Sequence, residues 1–148
     1  MTATRRGGAG TALWLYKTEP SEFSWADLVR KGGTTWDGVA NNQALIYLRQ
    51  AQAGDRVLLY HTGSVKSIVG LARVTRGPYP DPRKKDERLV VVDLEPIRPL
   101  KEPVTLARIK AAPGLACFPL VKISRLSIMP VAPAESTHLL ALAGEKGW

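Results

Sequence analysis

The chain has 148 residues, 45% of them hydrophobic and 23% charged, a composition that suits one globular domain and excludes wholesale disorder. Its longest apolar runs, such as Leu89-Val90-Val91-Val92, fall far short of the roughly 18 residues of a membrane helix. A single cysteine, Cys117, rules out an internal disulfide and a cysteine-rich metal site. No apolar stretch of signal-peptide length follows Arg5 and Arg6, so a soluble, cytoplasmic domain is expected.

The formal charge of +8 is unevenly placed. Residues 1–10 carry +2, residues 11–72 carry +1, residues 73–125 carry +6 and residues 126–148 carry −1. A positive field concentrated in one half of a chain favours a polyanionic partner, most commonly nucleic acid. The lysines and arginines are scattered rather than run together, so a charge that only maintains solubility fits as well.

Residues 1–11 contain three glycines and no apolar pattern, and are expected to form a flexible tail ahead of one domain spanning 12–148. Leu13-Trp14-Leu15-Tyr16-Lys17 reads as a strand ended by Glu19-Pro20. Ser24 then caps a helix, with Asp27 three residues on and Phe23 and Leu28 at the flanking staple positions. Gly32-Gly33 stops it. Thr34-Thr35-Trp36 is extended, and Asn41 or Asn42 caps a second helix reaching about Gln52, with Ala44, Leu48 and Ala51 on one face. Ala53-Gly54-Asp55 is its exit turn.

Arg56–Thr62 reads as a buried strand and Ile68–Arg76 as its hairpin partner. Gly77-Pro78-Tyr79-Pro80-Asp81-Pro82 is excluded from a strand interior, since three prolines remove ladder donors. Arg88–Pro99 is a further strand. Thr105 caps a helix through Lys110 that Pro113-Gly114 ends, Ser127–Val131 is a last strand, and Pro133 starts a final helix ending at Gly144. Five or so strands with helices between them give an α+β domain, and the non-alternating, doubly buried strands suggest a curled sheet or small barrel.

Catalytic chemistry has no positive signal. The two histidines, His61 and His138, stand apart from any nucleophile elbow, no short-spaced zinc ligands exist, and no phosphate loop or dinucleotide fingerprint appears. Cys117 sits in the apolar stretch Leu115-Ala116-Cys117-Phe118-Pro119 and is expected to be an inert core thiol. Neither cofactor nor metal is expected. Several polar residues do stand at strand ends: Lys17, Asp37 beside Trp36, and His61-Thr62. Each has a structural explanation on its own, but together they are what a pocket with an aromatic floor and a few polar directors requires. The segment Trp36-Asp37-Gly38-Val39-Ala40-Asn41-Asn42-Gln43-Ala44 is the expected working surface.

Leu15-Tyr16-Lys17-Thr18-Glu19-Pro20, Trp36-Asp37-Gly38-Val39, Asn41-x-Gln43-Ala44, Leu48-Arg49, Gly54-Asp55, Tyr60-His61-Thr62, Val69-Gly70 and Tyr79-Pro80-Asp81, in this order, closely resemble the EVE domain. The resemblance runs over about residues 13–144. It implies a PUA-like β-pseudobarrel of about five to six strands with short flanking helices, and a non-catalytic pocket for a flipped, modified base such as a modified cytosine in DNA or RNA. By motif, Lys17, Thr18, Glu19, Trp36, Asp37, Val39, Asn41, Gln43, His61 and Thr62 would border that pocket, with Tyr79 and Asp81 in a nearby loop. Ala40 departs from the arginine common in the family. In that role Trp36 would stack on the base and Asp37 would accept from an exocyclic amine, while Arg49, Lys66, Lys110 and Arg125 would contact phosphates. A small-molecule or protein-interaction module of the same fold and a nucleotide-modifying enzyme stay open as alternatives.

Overall fold

The structure is a computed structural model that describes residues 11–148. The expected tail therefore lies outside the described residues, apart from the exposed Thr11. Six strands form one curled sheet: β1 (Leu13–Thr18), β2 (Thr34–Trp36), β3 (Arg56–His61), β4 (Ser67–Pro80), β5 (Val90–Thr105) and β6 (Ile128–Pro130). Their spatial order is β2-β5-β4-β3-β1-β6. The helices are α1 (Trp25–Lys31), α2 (Asn42–Leu48), α3 (Leu106–Ala111), α4 (Pro119–Lys122) and α5 (Pro133–Ala143). No helix among the described residues is long and apolar enough to cross a membrane.

Local chemistry sets the helix ends. The Ser24 hydroxyl accepts the Asp27 N–H at 3.1 Å while the Asp27 carboxylate accepts the Ser24 N–H at 2.9 Å, a reciprocal cap. Gly32 ends α1 at φ +74°, where a side chain would be strained. Asn41, rather than Asn42, caps α2 by accepting the Ala44 N–H at 3.0 Å. Helix α2 ends at Leu48, earlier than expected, because Arg49 and the following residues turn back through Gln50→Tyr47 and Ala51→Leu48 bonds. Thr105 caps α3 through the Arg108 N–H. Helix α4 escaped the sequence reading. It is four residues long, too short for any apolar period to show.

Strands β1 and β3 pair in parallel, from Leu13↔Arg56 to Thr18↔His61, because α1, β2 and α2 form the crossover between them. Both are covered on two faces: Trp14, Leu15 and Tyr16 are fully buried, as are Val57, Leu58 and Leu59. That explains their continuous rather than alternating apolar runs.

Strand β4 corrects the expectation that the proline-rich segment lies outside the sheet. It continues to Pro80, pairing Tyr79 with Val91 and Pro80 with Val90. The register shifts between Arg76 and Tyr79, so Gly77 and Pro78 bulge out of the ladder and no donor is demanded of Pro78. Gly77 adopts φ +107°, a conformation open to glycine. The bulge carries β4 to the mouth of the cleft described below. Strand β5 likewise runs on to Thr105, past Pro99, through further register shifts. Cys117 is also corrected. It is exposed, because the chain turns at Pro113–Leu115 and directs Leu115 and Phe118, not Cys117, into the core.

Candidate functional site

A cleft of about 690 Å³ opens beside β2, lined by Thr18, Glu22, Phe23, Lys31, Thr34–Asp37, Gly38, Tyr79 and Asp81–Arg83. Its size falls within the range of ligand pockets, about 300–1,000 Å³. Alternation along β1 places Tyr16 and Thr18 on one face and Lys17 on the other. Thr18 accordingly reaches the cleft, where its Oγ1 donates to the Phe23 carbonyl at 2.7 Å. Tyr16 lies behind it, packed against Trp36 with ring centroids 5.7 Å apart.

Trp36 ends β2 and is the cleft's floor, but only 8% of its surface is exposed. Its ring meets Phe23 edge-on at 6.1 Å. The half-buried Phe23, next to the α1 cap, therefore offers the more accessible aromatic wall. Lys31 Nζ stands 5.6 Å from the Phe23 ring centre. Two other lining residues share one partner on β5: Asp93 Oδ1 accepts both Thr35 Oγ1 at 3.0 Å and Tyr79 Oη at 2.7 Å. The Asp93 contact raises the Tyr79 phenol above its ordinary pKa, so Tyr79 stays a protonated donor. The Arg76 guanidinium covers its ring at 4.2 Å.

Of the residues expected at the pocket, Thr18, Trp36, Asp37, Tyr79 and Asp81 line the cleft. The others have different places. Lys17 points to the opposite face, where Nζ donates to the Ser124 carbonyl at 2.9 Å and lies 6.0 Å from the Tyr60 ring centre. Partial burial lowers its pKa. The Glu19 carboxylate accepts the N–H and hydroxyl of Ser21, which hold it below the usual carboxylate range. Asn41 is engaged as the α2 cap, Gln43 and Ala40 are exposed, Val39 is half-buried, and Thr62 donates to the Thr18 carbonyl. Lys66 and Lys110 meet at a separate shallow depression with Ser64 and Leu106. Arg49 donates to the Arg88 carbonyl at 2.6 Å, and Arg125 is exposed.

Phe23, Glu22, Lys31, Thr34, Thr35 and Arg83 line the cleft without having been singled out from the sequence. Phe23 had a signal, its staple position before the α1 cap. Arg83 had none, because its role depends on a loop that β4 brings round. Among the described residues no group of three or more His, Cys, Asp or Glu is placed to hold a metal ion.

His61 is a positioning residue. Its Nε2 accepts the N–H of Trp25, the first residue of α1, at 3.0 Å, which requires that nitrogen to be unprotonated. The Trp25 ring in turn lies against Gly70, where an added Cβ would come within 2.4 Å of it. Burial lowers the His61 pKa, an effect the Glu19 carboxylate partly offsets. The unfolded chain therefore binds more protons at this residue. Its contribution is present above the unfolded value of about 6.5 and is lost as pH falls through the folded one. Urea denaturation from about pH 8 to pH 5 should show wild-type stability falling more steeply than that of His61→Gln, which keeps an acceptor that does not titrate. Parallel profiles would remove His61 from this role.

A PUA-like β-pseudobarrel with an open, aromatic and carboxylate-lined cleft beside one strand is the class these elements define. The same fold occurs in the ASCH protein of Zymomonas mobilis, at 17% identity and a TM-score of 0.55, covering 88% of this chain and 95% of that one. The chain belongs to the EVE domain family, whose model matches residues 12–142. It is 31% identical over 163 residues to human thymocyte nuclear protein 1, covering 87% of this chain and 72% of that protein. A protein from Rhodopseudomonas palustris solved by NMR is 43% identical, with a TM-score of 0.86 and coverage of 90% and 94%. The crystal structure of human THYN1 protein in complex with 5-methylcytosine containing DNA matches at 28% identity and a TM-score of 0.83, covering 92% of this chain and 99% of that one.

Proposed function

We propose that this chain binds DNA and receives an extruded, modified cytosine in the cleft beside Trp36 and Asp37. The carrying observation is the cleft's chemistry, in which the aromatic edge of Phe23 and Trp36 stands next to the Asp37 carboxylate. A flipped base loses its stacking and recovers it on such a wall, while an acceptor reads the exocyclic amine that cytosine carries and thymine lacks. Gly38, at φ +76°, lets the backbone approach the other edge of the base. The likeness to human THYN1, solved with 5-methylcytosine containing DNA, supports the same reading.

The test is a titration of labelled duplexes that differ by one methyl group on a single cytosine. Burying one methyl is worth about 0.8 kcal/mol, so the methylated duplex is expected to bind about fourfold more tightly. Both affinities should fall with added salt through counterion release. Absence of binding to either duplex at low salt would sink the proposal.

A further inference from the structure

One ion pair bridges the mouth of the cleft. Arg83, on the loop between β4 and β5, donates to the carboxylate of Asp37 on the loop after β2. The root of Arg83 is fixed, since its backbone N–H donates at 2.9 Å to Oδ1 of Asp81, itself only 4% exposed. The tip is more exposed, the Arg83 side chain at 68% and that of Asp37 at 43%, although Arg83 Nε also stands 3.8 Å from Asp81 Oδ1. At the far end of the same loop, Arg88 Nη1 donates to Asn42 Oδ1 at 2.8 Å and ties the loop to α2. Between these anchors Arg83, Lys84 and Lys85 form three consecutive exposed cations.

We propose that loop 81–89 is a phosphate clamp, with Arg83 the ligand of a backbone phosphate beside the cleft. Asp37 is the internal anion that occupies Arg83 until that phosphate displaces it. The inference rests on the proposed DNA-binding function and extends it. A solvent-exposed pair holds its partners by no more than about fivefold, so a phosphate competes with Asp37 readily. The exchange replaces one anion on the guanidinium with another and leaves no cation unpaired. It also frees the Asp37 carboxylate, which is then available to the base. Strand capture and base reading are thereby coupled, and a base alone meets an occupied Asp37.

Oligothymidylate is the probe for the clamp, because thymine offers Asp37 no exocyclic amine. Arg83→Gln is expected to weaken its binding and to reduce the slope of log affinity against log salt by about 0.7, the value for one phosphate contact on a single strand. Asp37→Asn, which removes the closer of the two carboxylates on Arg83 and leaves Asp81, is expected to tighten binding about threefold, and to do so in the wild-type background but not with Arg83→Gln. A wild-type slope in Arg83→Gln overturns the clamp. Equal tightening in both backgrounds is a general charge effect and overturns the role of Asp37. If oligothymidylate gives the expected pattern but methylated and unmethylated duplexes bind alike, base reading falls and the clamp stands. No binding to any of these probes removes both.

Discussion

Replacing Trp36 with alanine is expected to destabilise the domain by about 3–5 kcal/mol, the range for deleting a large buried aromatic side chain. The ring is 8% exposed and packs between Tyr16 of β1 and Phe23 before α1, so its removal opens a void where three elements meet. A domain of this size is typically stable by about 5–15 kcal/mol, so the variant approaches its unfolding threshold. A loss of the proposed DNA binding in Trp36→Ala would therefore mix unfolding with loss of the proposed base contact. Trp36→Phe, which fills most of the volume, is expected to retain the fold. Chemical denaturation of the two variants measures the difference, and a loss below about 1 kcal/mol in Trp36→Ala would contradict its place in the core. Phe23→Ala is the better probe of the proposed stacking, because that ring is less buried.

Asp55→Ala is expected to cost at least about 3 kcal/mol, since hydrogen bonds to a charged group contribute about 1.5–3 kcal/mol each. Asp55 is 1% exposed, and its carboxylate accepts three N–H groups. Oδ1 takes the Ala12 amide at 3.1 Å, while Oδ2 takes the Trp14 indole and the Gln52 amide, each at 2.9 Å. It thus joins the start of β1 to the turn before β3, the strands that form the parallel pair of the sheet. Asp55→Asn keeps one acceptor oxygen and should fall between wild type and alanine. A urea midpoint unchanged in Asp55→Ala would show that these three donors find other partners.

Asp55 also shows where reading a sequence stops. As Ala53-Gly54-Asp55 it is an ordinary exit turn, and turn chemistry alone accounts for it. Its burial follows from β1 arriving beside it, a pairing across 41 residues for Trp14. The proline-rich end of β4 is similar. Proline's missing donor argues against a strand interior, and that argument holds for a regular ladder. A bulge at Gly77-Pro78 removes the demand for the donor, and bulges are set by the twist of the whole sheet. Lys17 and Thr18 are neighbours in one motif, yet strand alternation sends them to opposite faces, so a motif match brought both to the pocket where geometry admits one.

The sequence by itself determined the elements whose causes are local. These are the reciprocal Ser24–Asp27 cap, the Gly32 stop, the Thr105 cap, a cap at Asn41 or Asn42, the two doubly buried strands and the final helix from Pro133 to Gly144. Its ordered motifs also carried the family, and with it the fold. Only the tertiary structure decided how little of Trp36 is exposed, that Phe23 is the accessible wall, and that Asp37 is held by Arg83. Capping and burial patterns act over a few residues and leave a periodic or compositional trace. The Asp37–Arg83 pair joins positions 46 residues apart on two loops, and nothing in either stretch of sequence encodes the other's approach.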